Sequence, residues 1–361
     1  MNNFYKDIKE FNIWNRSLKD RLIEFVSLMK HPKGSGGYYY SPNGDRFSFP
    51  LLCSTVFATK ILYMLKNDIA NKENMSIFML QFLNADGSLY DKNILSRSLF
   101  YRIYRCIREN TFNHLFGLDL IRGETRQSYA ALLTMNSLPK ITYNEFDIEP
   151  EKINKYILDL EWRNPWTAGS NFGHLIFFLK INSIINNSNQ KQIINDCFKL
   201  VNDNYKQIDG TWSSTTDIPI HLKINGAMKM LVAMSTAGIE EFDDSKKIID
   251  LCLKSLNYGN ACNHFNIIYI LCRSTLMSPN YRYNEIVKYL VTRSKIYKKF
   301  WKDKYGGFSF YENNSNQNYL GCKITKGLNE PDIHASHLFL WGLILIDKIL
   351  NHKSLYRLPI T

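Results

Sequence analysis

The chain has 361 residues, 45% of them hydrophobic and 14% aromatic, which is ample for a large buried core. Its 45 basic against 33 acidic residues leave a formal charge of +12. That charge draws anions such as diphosphates, acidic sugars or membrane headgroups, although an Asn-, Ile- and Lys-rich composition accounts for much of it without any function. No nucleic-acid-binding signature accompanies the basic residues, so nucleic acid is not an expected partner.

In chain order, the opening "MNNFYKDIKEFN" lacks the basic-then-apolar layout of a secretory leader. Turns bearing glycine then recur with a period of about fifty residues, a repeat signature. They are "GSGGYYY" near 37, "NADGSLY" near 87, "RNPWTAGSNF" near 166, "QIDGTWSS" near 210, "LNYGNACN" near 259 and "KYGGFSFY" near 307. Each is followed by a helix apolar nearly all round, from "STVFATKILYML" to "DIHASHLFLWGLILI". Each is preceded by a more amphipathic segment, and such a segment covers a buried helix. Between the second turn and its helix, "SRSLFYRIYRCIREN" puts Arg97, Tyr101, Arg105 and Arg108 at helical spacing, as on a solvated helix face. The apolar run Leu338–Ile346 is cut off by Asp347, short of the ~20 residues that span a bilayer. Peripheral membrane contact stays open. Seven cysteines without a CxxC pair read as reduced thiols of a cytoplasmic protein. The predicted fold is all-α: one domain over residues 1–361, an α/α toroid of six helical-hairpin repeats. A four-helix bundle and an open solenoid are the competing architectures.

The turns "QFLNADGSLYD" and "QIDGTWSS" resemble the Gln-Asp-Gly-Ser/Trp turns of the terpenoid cyclase and protein prenyltransferase superfamily. The last unit, "YGGFSFYENN…EPDIHASHLFLWGL", is similar to the final β-subunit repeat of protein prenyltransferases. There a Gly-Gly-Phe turn precedes an Asp-x-x-His step into the helix. The resemblance implies a toroid with a central cavity and an isoprenoid or prenyl diphosphate substrate. The chain lacks the family's Asp-x-Asp-Asp acid, with "FDDSKK" the nearest run, and its magnesium-binding Asp-Asp-x-x-Asp. The resemblance also implies zinc held by Asp, Cys and His. His334 matches the His position, and Cys262 and His264 are the other candidate ligands.

Four histidines, His174, His221, His264 and His334, read as lying at or just before the first turn of an apolar helix. Helix N-termini carry unpaired N–H groups and suit an anionic ligand. Glu330, Asp332 and His334 are the catalytic candidates, a carboxyl acting as proton donor with the histidine positioning it. His174, His221, His264, Asp217, Glu124, Arg126, Trp166 and Arg46 are the substrate-binding candidates, with Gln127 and Ser170 nearby. Simpler explanations stand beside these. Asp332 and Asp217 fit helix caps, Pro331 and Pro219 fit helix starts, and His337 and Trp341 fit the core. Three functions follow. The first is a cyclase- or prenyltransferase-like enzyme acting on an isoprenoid. The second is a lyase or hydrolase acting on an acidic saccharide in a polar cleft. The third is a non-catalytic toroid that binds a ligand. Oligomeric state is not readable from the sequence.

Overall fold

The computed structural model describes residues 2–32, 34–43, 51–67, 71–108, 112, 114–256, 258–352, 354 and 356–360. Among these, fourteen helices follow in chain order: α1 (Asn2–Leu28), α2 (Leu52–Met64), α3 (Lys72–Leu80), α4 (Lys92–Arg97), α5 (Leu99–Arg108), α6 (Leu118–Thr134), α7 (Pro150–Leu158), α8 (Pro165–Ile185), α9 (Lys191–Tyr205), α10 (Ile220–Ala237), α11 (Ser245–Leu253), α12 (Ala261–Met277), α13 (Tyr283–Phe300) and α14 (Ile333–Asn351). Two short antiparallel ribbons lie between the last two helices. β1 (Trp301–Lys302) pairs with β2 (Gly307–Phe308), and β3 (Asn318–Tyr319) pairs with β4 (Cys322–Lys323). The protein is predominantly helical, as expected. All six predicted apolar helices are present, as α2, α6, α8, α10, α12 and α14.

Two of the glycine turns are copies at the level of single bonds. In the first, Asn84 N–H donates to Ser88 O (2.8 Å) and Gly87 N–H to Asn84 O (3.0 Å). In the second, Gln207 N–H donates to Thr211 O (2.8 Å) and Gly210 N–H to Gln207 O (2.9 Å). Oδ1 of Asp86 accepts from Ser88 N–H and Oγ, and Oδ1 of Asp209 accepts likewise from Thr211. The glycines sit at φ +80° and +81°, a left-handed conformation that a side chain disfavours.

The predicted turn near 166 is different. Asn164 caps Thr167 N–H and Pro165 opens α8, the usual places for these residues. Gly169 therefore lies inside the helix, where a Cβ would come within 3.1 Å of Lys229 Cβ and 3.2 Å of Gly226 O. Its glycine serves close helix packing rather than a turn.

The chain divides into two compact units. The first comprises Met1–Pro139, Val291–Ile344 and Ser354–Ile360; the second comprises Lys140–Leu290, Leu345–Lys353 and Thr361. In the first, α2 is buried at every residue but Tyr63. It is flanked by α6, through Lys60 and Gln127, and by residues 333–344 of α14, through Phe57 and His334. In the second, α10 lies between α8 and α12. Gly226 of α10 admits Pro165 of α8, since a Cβ there would sit 2.7 Å from the proline's Cβ. Asn225 of α10 bonds Asn263 and Asn266 of α12. Residue order along the α8–α10 contact shows that these two helices run parallel: Gly226 meets Pro165, Gly169 meets Met230 and Gly173 meets Ala233. Each fully buried Leu, Ile or Phe contributes about 1.5–3 kcal/mol.

α14 is long and apolar enough to cross a membrane by length and composition, with 83% of its apolar window buried inside the fold. The interruption expected at Asp347 does not end it. The Asp347 carboxylate is buried and accepts from Asn351 Nδ2 at 2.7 Å, one turn on.

Candidate functional site

The start of α14 is fixed by two carboxylates whose oxygens are largely committed to structure. Asp332 is fully buried, with Oδ1 accepting from Ala335 N–H (2.8 Å) and Oδ2 from both Phe310 N–H and Asn316 N–H (3.0 Å each). One carboxylate thus caps the helix and gathers the 310–316 loop onto it. Burial pushes its pKa up to about 7, against the pull of three N–H donors. Glu330, also buried, accepts from Ser41 Oγ (2.8 Å) and from Asn43 Nδ2. It ties the segment after the first turn to the last helix.

His334 follows in the first turn of α14. Its ring stacks on Phe57 of α2 (centroids 4.4 Å apart, 13° between planes), with Phe310 at 5.4 Å and Tyr319 at 6.0 Å. One turn further on, His337 is 4% exposed and packs near Phe57 and Trp341. Neither of its ring nitrogens, both buried, has a hydrogen-bond partner. Burial, with help from Lys60 and His334, pulls its pKa well below the usual histidine range, so it is neutral.

Lys60 lies on the same face of α2 as Phe57 and Cys53, at i, i+4 and i+7. Its ammonium is buried and donates to Gln127 Oε1 of α6. No carboxylate among the described residues pairs with it. Burial, then the neighbouring Arg126 charge, brings its pKa down to about 7. At the other end of that face, Glu124 of α6 accepts from Asp91 N–H at 2.9 Å through Oε2, while its buried Oε1 has no hydrogen-bond partner. Burial holds the Glu124 carboxyl well above the ordinary range, partly offset by that N–H, so it keeps its proton. Burial is also the main cause that raises the Cys53 thiol. A protonated acid and an amine poised between charge states therefore flank one helix face. Cys53 to Lys60 spans seven residues, or about 10 Å of helix.

Five predicted site residues, Glu330, Asp332, His334, Glu124 and Arg126, fall in the first unit. His174, His221, His264, Asp217 and Trp166 fall in the second. Asp217 and His221 are exposed, Trp166 is partly exposed, and His174 and His264 are buried. His221, His264 and His334 do begin their helices. His174 is the tenth residue of α8, because that helix starts at Pro165. Arg46 lies outside the described residues. Among the described residues no three His, Cys, Asp or Glu side chains gather as metal ligands. Lys60 escaped the sequence reading although it is the one charge within the apolar "STVFATKILYML". His337 and Trp341, expected in the core, are buried there.

The chain matches no model of a known protein family, no curated protein and no solved structure.

Proposed function

We propose that this protein is an enzyme of the terpenoid cyclase and prenyltransferase type, acting on an isoprenoid that carries a diphosphate. The observation behind this reading is Lys60, a buried amine beside Arg126 and His337 with no carboxylate to neutralise it. A substrate anion supplies the missing charge. Amphipathic segments, each followed by an apolar helix, are what an α/α toroid requires, and the parallel packing of α8 on α10 supports that arrangement. In this reading Lys60 and Arg126 hold the diphosphate. Phe57, Phe310 and Tyr319 offer π faces to the hydrocarbon and to positive charge on it. Glu124, kept protonated by burial, is the proton donor. Asp332 and Glu330, the acids expected from the sequence, act as positioning residues that hold the start of α14.

The test is calorimetric titration of the purified protein with farnesyl diphosphate and with inorganic pyrophosphate. Binding near pH 8 takes up a proton, because the anion restores the Lys60 charge; buffers of different ionisation enthalpy read this directly. Lys60→Met weakens binding by about tenfold or more. Absence of binding to either ligand overturns the proposal, and turnover of an acidic oligosaccharide would replace it with the saccharide reading.

A further inference from the structure

Helix α5 is inside out. Its sole buried residue is Arg102, whose guanidinium donates to the carbonyls of Leu95 (2.8 Å) and Leu115. The side chains that would ordinarily face a core point to solvent: Phe100 is 86% exposed, Tyr104 55% and Ile107 76%, with Phe116 just before α6 at 71%. Phe100, Ile103, Tyr104 and Ile107 follow at i, i+3, i+4 and i+7, a continuous apolar stripe. The exposure is not slack. Turning the helix to bury that stripe would strip Arg102 of both carbonyls and leave a guanidinium unsatisfied.

The stripe is framed by positive charge. From Lys92 to Arg108 there are five basic residues and no acidic one. Arg108 lies 5.7 Å from the Tyr104 ring and Arg105 5.8 Å from the Tyr101 ring, so cations and aromatic rings share the same edge. Arg105 is paired with Asp119. An apolar stripe of this kind on a basic helix is how a protein lies on a bilayer without spanning it.

We propose that α5, together with Phe116, docks on an anionic lipid bilayer surface, its apolar side chains entering the headgroup region and the exposed Arg108 meeting lipid phosphates. This surface is independent of the diphosphate reading. The charge selects the occupant. A second copy meeting this face symmetrically would set Arg108 and its neighbours against themselves, whereas anionic headgroups complement them. At ten residues, or about 15 Å, the helix is a surface element rather than a span.

Flotation of the full-length protein tests this, with vesicles of phosphatidylcholine alone and of phosphatidylcholine and phosphatidylglycerol in equal parts. The protein should float with the anionic vesicles and stay behind with the neutral ones, and added salt should release it. The double variant Phe100→Asp/Ile107→Asp should lose more than about tenfold in partitioning with an unchanged circular dichroism spectrum. Arg108→Glu, which leaves the stripe intact, should lose about fivefold or more and decides the matter if the double variant misfolds. Failure to float, equal flotation on both vesicles, or flotation unaffected by these substitutions overturns the proposal. So does a concentration-dependent dimer that the double variant abolishes without any lipid binding, since the stripe would then be an interface between copies.

Discussion

The trio α14–α2–α6 in the first unit and the trio α8–α10–α12 in the second both pack apolar helices side by side, but they are joined by different chemistry. The second joins its helices with neutral amides. Asn266 Nδ2 donates to Asn225 Oδ1 at 2.8 Å, and Asn225 Nδ2 to Asn263 Oδ1 at 3.3 Å. The first buries a lysine and two carboxyls, Lys60, Glu124 and Asp332, besides His337, whereas the acidic and basic side chains buried in the second trio's helices are two histidines, His174 and His264. Amides satisfied by one another cost little to bury, whereas ionisable groups oppose folding unless paired or neutralised. The expensive arrangement is therefore the one to search for function, and the amide ladder serves as its internal control.

The sharpest way to break the contrast is Asp332→Asn. If Asp332 were only a cap, the change would cost well under about 1 kcal/mol, because Asn caps a helix as well as Asp does. Whichever way the amide turns, its nitrogen faces at least one buried N–H donor that then has no acceptor, which should cost about 3 kcal/mol. Urea unfolding measures this, and a loss near the smaller figure would reduce Asp332 to a cap. Next comes Gly226→Ala, where the new Cβ would lie 2.7 Å from that of Pro165 and 2.9 Å from its carbonyl oxygen. Backbone cannot yield as a flexible side chain can, so about 2–3 kcal/mol of destabilisation is expected. A thermal midpoint equal to that of the unaltered protein would mean α8 and α10 do not approach so closely.

Asn225→Ala strands amide groups on Asn263 and Asn266 and should cost about 2 kcal/mol, whereas Asn225→Leu/Asn266→Leu should be nearly neutral. A double-mutant cycle with no coupling would dissolve the ladder. The smallest change at fixed pH belongs to Lys60→Met, under about 1 kcal/mol near pH 10.5, where the amine is neutral in the folded chain and largely so in the unfolded one. Its signature is a slope. With the folded pKa lowered from 10.5 to about 7, the unfolded chain binds the extra proton throughout that window. Lys60 thus makes stability rise with pH between those values, by at most about 1.4 kcal/mol per pH unit. Urea titrations across the range should show this component in the unaltered protein and its absence in Lys60→Met. An unchanged slope would assign it to other groups.

The helices were legible because residues apolar all round have nowhere to go but the interior, and five glycine turns were legible because their glycines carry positive φ. The turn near 166 was misread for one reason: a glycine in a helix that must lie close to its neighbour looks, in sequence, like a glycine in a turn. His174 moved from a helix start to a helix middle with it. At the site, Asp332 and Glu330 were found by their residue types. Their roles were hidden, because nothing in "EPDIHAS" reveals that Phe310, Asn316, Ser41 and Asn43 converge on them. Lys60 was visible as a charge in an apolar helix, but its partners come from two other helices. Such a lysine gains meaning only once the helices are packed.

The twin turns at 84–88 and 207–211 have a genetic consequence. The bonds that close each turn are made within the five residues themselves, with Tyr129 on the Gly87 carbonyl and Lys223 on Asp209 as anchors from outside, so either segment can be set in the other's place with its closing bonds intact. Such a joint is portable. A chain assembled around portable joints can lengthen or shorten by whole helix pairs through recombination between its own repeats, without a new turn having to be invented each time.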